Sequence, residues 1–271
     1  MIAHDGKRDI MIENKFKVLG EVDMKLDFYY FSYQCPLNDN MLQLLDEYRD
    51  KIEIHLHDIA SNCSLAAKMN IFFPTLTMLD GEKRYYSPLK KSFLELVSKG
   101  IYPEESPFLP TISEVTVVEI IEPLKIQNIE VACACCGNKT ENNCIKKQEF
   151  LKKFKQDVYG FIHKDMNGNL IGGAEYLPAE FIPYNIPHDK NTAFITCVYM
   201  SDSEFDYKSA PLKALEEYLK KDYEKIIAIS DEKGIFPNGN LKFFISNGYQ
   251  DEGIIFTDTK YCRLHLVSKL L

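Results

Sequence analysis

Tryptophan is absent from the 271 residues, and no run of apolar residues comes near the length that crosses a bilayer. A helical span needs roughly 18–20 such residues, so no membrane partner is expected. Basic residues are also short: 32 Lys and Arg stand against 40 Asp and Glu, a formal charge of -8. Broad phosphate-backbone binding requires clustered cations that displace counterions, which argues against a nucleic-acid partner. Lysines do gather at Lys146-Lys147, Lys152-Lys153-Lys155 and Lys220-Lys221, but apolar residues interleave at helical spacing, so these read as solvated helix faces. Met1 to Asp9 lack the apolar core of a secretory signal. The expected location is cytoplasmic, with the eight cysteines reduced. Neither an internal repeat nor a low-complexity tract is present.

What is there suits an ordinary globular chain, 45% apolar and 27% charged, long enough for two cores. After an extension at 1–24, residues 25–100 read as strand, helix, strand, helix, strand, strand, helix. Leu26 to Phe31 and Ile52 to His57 are β-rich runs, Asn40 to Tyr48 has helical spacing, and Asp80-Gly81 marks a hairpin. Three prolines within 101–110 oppose helix and central strand and place a linker there. Residues 111–271 form a second unit. Its elements are a strand over Glu114 to Ile121, a helix over Cys144 to Phe154, a hairpin across Asn167-Gly168, a strand over Ala193 to Met200, a helix over Ala210 to Lys221, and further strands to the end. The fold class is α/β (α+β), with a mixed sheet in the second unit.

In the first unit Cys35-Pro36-Leu37-Asn38 stands between a strand and a helix. A thiol at a helix start meets unpaired N–H groups and the positive end of the macrodipole. With Phe73-Pro74-Thr75, this segment resembles the thioredoxin and glutaredoxin superfamily. The resemblance gives Cys35 the nucleophile position and Pro74 the position of that family's cis-proline. Asn38 occupies the place of the second cysteine, so the turn cannot close its own disulfide. Monothiol chemistry through a mixed disulfide, or a packing role alone, is what remains.

The second unit resembles the GNAT acetyltransferase superfamily through Gly172 to Glu180, Phe194 to Met200, and Phe243-Phe244-Ile245-Ser246-Asn247-Gly248-Tyr249. The string Glu175-Tyr176-Leu177-Pro178-Ala179-Glu180 looks most like the bacterial YoaP-like group. The resemblance implies that the strand carrying Cys197, Val198 and Tyr199 splays from its neighbour and pairs with the pantetheine arm of acetyl-CoA. It also implies that N–H groups around Ser209, Ala210, Leu212 and Lys213 hold the pyrophosphate. Ala210 and Leu212 fall where the family has glycines, and Pro211 lacks an N–H. Phe244 aligns with the family's proton-donating tyrosine, leaving Tyr249 or Tyr199 for that role, while Glu175 and Glu180 are the carboxylates for deprotonating an amine.

Cys133, Cys135, Cys136 and Cys144 fall within twelve residues. Four thiolates suit zinc, although the spacing is not that of common zinc modules. The alternatives are a strand end with cysteines packed as small hydrophobes, or a redox pair facing Cys35. His55 and His57 alternate on one strand and read as a polar sheet face. The function these readings converge on is acyl-CoA-dependent N-acetyl transfer to a small molecule. A non-catalytic or monothiol binding protein, and a thiol or soft-metal handling protein, are the alternatives.

Overall fold

A computed structural model describes residues 24–271 except 108, 110–112, 137–139, 201–204 and 237, and only the backbone of Cys136. The expected extension at 1–24 thus lies almost wholly outside the described residues. Two sheets organise the rest.

The first is four-stranded, in the order β2-β1-β3-β4. Its strands are β1 (Lys25–Tyr30), β2 (Glu53–Asp58), β3 (Thr75–Leu79) and β4 (Lys83–Tyr85). The central strand β1 is buried on both faces, which explains its run of large apolar residues. It pairs in parallel with β2 and antiparallel with β3. The parallel crossover is α1 (Leu37–Asp46), which starts just after Pro36 and turns Met41 and Leu45 inward. Two further helices, α2 (Cys63–Lys68) and α3 (Lys91–Val97), complete this unit. His55 and His57 do share a face, and both approach Asp27: His57 Nε2 lies 2.8 Å and His55 Nδ1 3.6 Å from its Oδ1.

The second sheet has seven strands in the order β10-β11-β9-β8-β7-β6-β5. They are β5 (Ile120–Leu124), β6 (Gly160–Lys164), β7 (Leu170–Pro178), β8 (Thr192–Met200), β9 (Lys225–Asp231), β10 (Gln250–Asp258) and β11 (Cys262–Leu270). Helices α4 (Ile129–Ala132), α5 (Glu141–Lys152), α6 (Ser209–Leu219) and α7 (Leu241–Ser246) flank it. The expected hairpin joins β6 to β7 through Gly168 at φ 84°. β8 pairs with β7 from Ala193 to Met200, but with β9 only from Thr192 to Ile195. Beyond Ile195 the parallel strands part, which is the expected splay, and a bulge at Thr196 of β8, opposite Glu175 and Tyr176 of β7, marks the same level. Gly172 and Gly173 are needed here for close approach. A Cβ on Gly172 would stand 2.2 Å from the Tyr207 carbonyl, and one on Gly173 2.5 Å from the Tyr199 ring.

Three expectations are corrected. The strand read over Glu114 to Ile121 begins only at Ile120. Val115 and Val118 are exposed, and Thr116 makes a single bridge to Asp206, so β-branched propensity without a sheet neighbour does not extend the strand. The cysteine run is helical, α4 followed by a 3₁₀ turn over Cys133–Cys136, rather than a strand end. No cis peptide occurs among the described residues, so Pro74 follows a trans bond; its carbonyl accepts from Phe31 N–H at 2.9 Å.

The units share one core. A single apolar cluster runs from Tyr29, Phe31, Phe72 and Phe73 of the first unit into Phe150, Tyr184, Phe194 and Phe236 of the second. Phe31 meets Phe150 edge-on at 5.5 Å between ring centres, and Phe73 tilts over Phe236 at 5.0 Å. Polar contacts rim the seam: Lys146 pairs with Asp39, Asn142 donates to Asp39, and Tyr86 Oη donates to Asp258. The proline-bearing linker lies along β4, where the Pro103 carbonyl accepts from Tyr85 Oη and the Glu105 carboxylate from Ser87 N–H.

Candidate functional site

Side chains alternate along β8. Val198 turns into the core with Leu212 and Leu215, so its neighbours Cys197 and Tyr199 turn the other way. There they line a cavity of about 660 Å³ at the seam of the two units. The first unit supplies the loop Gln34 to Asn38, with Met41, Phe73, Pro74, Thr75 and Tyr86. The second supplies Cys135, Lys147, Glu175, Cys197, Tyr199, Lys208 and Gly234 to Phe236. Cys35, Cys135 and Cys197 therefore reach one cavity from two units and three separate elements.

Lys147 and Glu175 form a buried ion pair at the wall, with Nζ 2.7 and 2.9 Å from the two carboxylate oxygens and both side chains at most 3% exposed. Burial alone would lower the Lys147 pKa, but the Glu175 carboxylate, with Cys135 and Cys133 adding to it, raises it above the ordinary lysine value. Lys147 was read as part of a solvated lysine face. The missed signal was its register: Cys144, Lys147 and Leu151 sit at i, i+3 and i+7 on α5, the apolar stripe. Tyr199 lies beside Glu175, and its phenol is pushed well above the usual value, first by burial and then by the carboxylate and the thiols of Cys135 and Cys197.

Lys208, immediately before α6, is a second buried ammonium lining the cavity. Burial lowers its pKa to about 8, against the opposing influence of Cys197 and Asp206. Its Nζ stands 6.0 Å from the centre of the Phe243 ring. A lysine whose folded pKa is depressed costs stability in full below that pKa, and the cost fades as pH rises toward the unfolded value. We therefore expect Lys208→Met to stabilise the protein at pH 7, by about 3 kcal/mol, the scale set by a fall from 10.5 to about 8. The gain should shrink between pH 8 and 10.5, read from urea midpoints of both proteins at each pH. An equal gain at every pH would sink this account.

The remaining expected residues fall differently. Glu180 is exposed on a 3₁₀ turn after β7 and does not line the cavity. Tyr249 is buried against Phe244, with burial and Glu216 pushing its phenol well above the normal range; neither ring borders the cavity. Leu212 is in the core, Lys213 is exposed, and Ser209 Oγ accepts from Asn247 Nδ2 at 3.1 Å. Among the described residues no three His, Cys, Asp or Glu side chains are grouped to hold a metal. Zinc is thus not supported at Cys133, Cys135 and Cys144, where Cys133 hydrogen-bonds with Cys144, and the Cys136 side chain lies outside the described residues. Burial raises the Cys133 thiol, partly offset by Lys147. No described helix is long and apolar enough to cross a membrane.

No family model matches the chain. No curated protein matches it either. Among solved structures it is similar to a ribosomal-protein-alanine N-acetyltransferase from Brucella melitensis, at 15% identity and TM-score 0.42, covering 56% of this chain and 100% of that one. It is likewise similar to a GNAT-superfamily phosphinothricin acetyltransferase from Sinorhizobium meliloti solved with AcCoA, at 11% identity and TM-score 0.43, covering 57% and 89%. An N-acetyltransferase from Staphylococcus aureus Mu50 gives 16% identity and TM-score 0.42, covering 56% and 97%. Likenesses this remote leave the chemistry to the residues of the cavity themselves.

Proposed function

We propose that this chain transfers an acyl group from a thioester to a small molecule held in the cavity at the seam. The supporting observation is the parting of β8 from β9 after Ile195, which leaves the Cys197 and Tyr199 face of β8 bordering the cavity. The acceptor lies against the wall that the first unit contributes, and its nucleophilic atom bonds to the acyl carbon while the thiolate departs and takes up the acceptor's proton. Lys208 and the Lys147–Glu175 pair supply the fixed charges around that exchange. The strand order β2-β1-β3-β4, with Cys35 preceding the crossover helix, supports a thioredoxin-like reading of the first unit.

A second reading, thiol handling without acyl transfer, is favoured by the three cysteines on one cavity. A melting screen with the acetyl thioester of N-acetylcysteamine, the free thiol and a small disulfide separates the two, because a ligand of the native state alone raises apparent stability by mass action. Acyl transfer requires that the thioester raise the midpoint and lose its acetyl group to an added amine. Stabilisation by thiol or disulfide, with the thioester intact, would replace it by the second reading.

A further inference from the structure

The resemblance implies two stations for CoA along this path: open N–H groups on the free edge of β8 for its amide arm, and open N–H groups at a helix start for its pyrophosphate. The chain itself engages N–H groups at both. On β8, Val198 N–H faces the gap left by β9 and donates to Asn238 Oδ1 at 3.0 Å, while Asn238 Nδ2 donates to the Ile229 carbonyl at 3.2 Å. Asn238 is fully buried and so bridges the parted strands like a side-chain rung. It is held there by the following residue, whose carbonyl accepts from Ser230 Oγ at 3.0 Å.

At the start of α6 the anion position is taken by Asp206. Its Oδ1 accepts from Lys208 N–H at 2.9 Å and Ser209 N–H at 3.0 Å, and its Oδ2 from Thr116 Oγ at 3.1 Å. Leu212 N–H is spent within the helix on the Lys208 carbonyl, and Pro211 has none. The stretch around Thr116 is laid across this corner, with Asp206 N–H donating to the Val115 carbonyl and Val117 N–H to the Asp206 carbonyl. A carboxylate on a helix N-terminus satisfies the same groups and the same dipole as a phosphate would.

We infer that the donor this cavity accepts is a compact thioester lacking a nucleotide, because Asn238 and Asp206 occupy the places a nucleotide-bearing donor would use. This rests on the acyl-transfer reading above for the word donor, while the closure of the two stations stands on the hydrogen bonds alone. Isothermal titration with CoA tests the closure. The native protein is expected to show no binding at millimolar CoA. Asn238→Ala combined with Asp206→Ser, once circular dichroism and a cooperative melt show it folded, should gain at least tenfold in affinity. Should the double variant not fold, Asn238→Ala alone, which opens the β8 station and leaves the α6 cap in place, should show a smaller gain that still makes CoA binding detectable. CoA binding to the native protein, or a folded variant that still ignores CoA, would overturn the inference. The acyl-transfer reading fails separately, if the N-acetylcysteamine thioester is neither bound nor consumed.

Discussion

Glu175→Ala is expected to destabilise the protein by about 3–5 kcal/mol, because it strands the Lys147 ammonium in a fully buried position without its partner. The cost comes from the unpaired charge rather than from the lost attraction, so the double change Lys147→Met with Glu175→Leu should recover most of it. Urea unfolding of the two variants and the parent measures both. If Glu175→Ala stays within about 1 kcal/mol of the parent, the pair is solvated in a way its burial denies. A Glu175 tied to Lys147 by two hydrogen bonds is also a poor candidate for accepting a proton from an amine, and under the proposed acyl transfer it supplies only a fixed field beside Tyr199.

The second large effect concerns the seam. Phe31 is 1% exposed and packs on Phe150 and Tyr184 of the other unit. Truncation to alanine should cost about 3–5 kcal/mol and loosen both units together. For the same reason, cleaving the chain between Tyr102 and Pro110 should give fragments that do not melt cooperatively alone, although the prolines suggest a separable boundary. Mixing the two fragments should restore the transition. Independent cooperative melts of either fragment would show that the shared apolar cluster is dispensable.

Most of the element order was legible, since β1, α1, the β6–β7 hairpin, β8 and α6 each announce themselves through hydrophobic period or turn chemistry. The splay was legible only through resemblance. The seam was not, because Phe31, Phe72 and Phe73 look the same in a sequence whether they pack within a unit or across two. Asn238 and Asp206 were equally hidden. Asn and Asp are common in loops for local reasons, and nothing local says that Asn238 reaches a strand forty residues earlier. Lys208 escaped notice because a lysine before a helix is ordinarily solvated, and its burial comes from tertiary packing near Phe243.

The cavity's walls run from Gln34 to Tyr261, and no shorter stretch of the chain encloses it. During synthesis the thiol of Cys35 emerges early and waits, while Tyr261, the last of the lining residues, comes near the end. The site is thus a product of docking rather than of either unit's folding. A molecule bound there touches both halves and resists their separation, so its first measurable effect should be protection of the seam from proteolysis, whether or not any reaction follows.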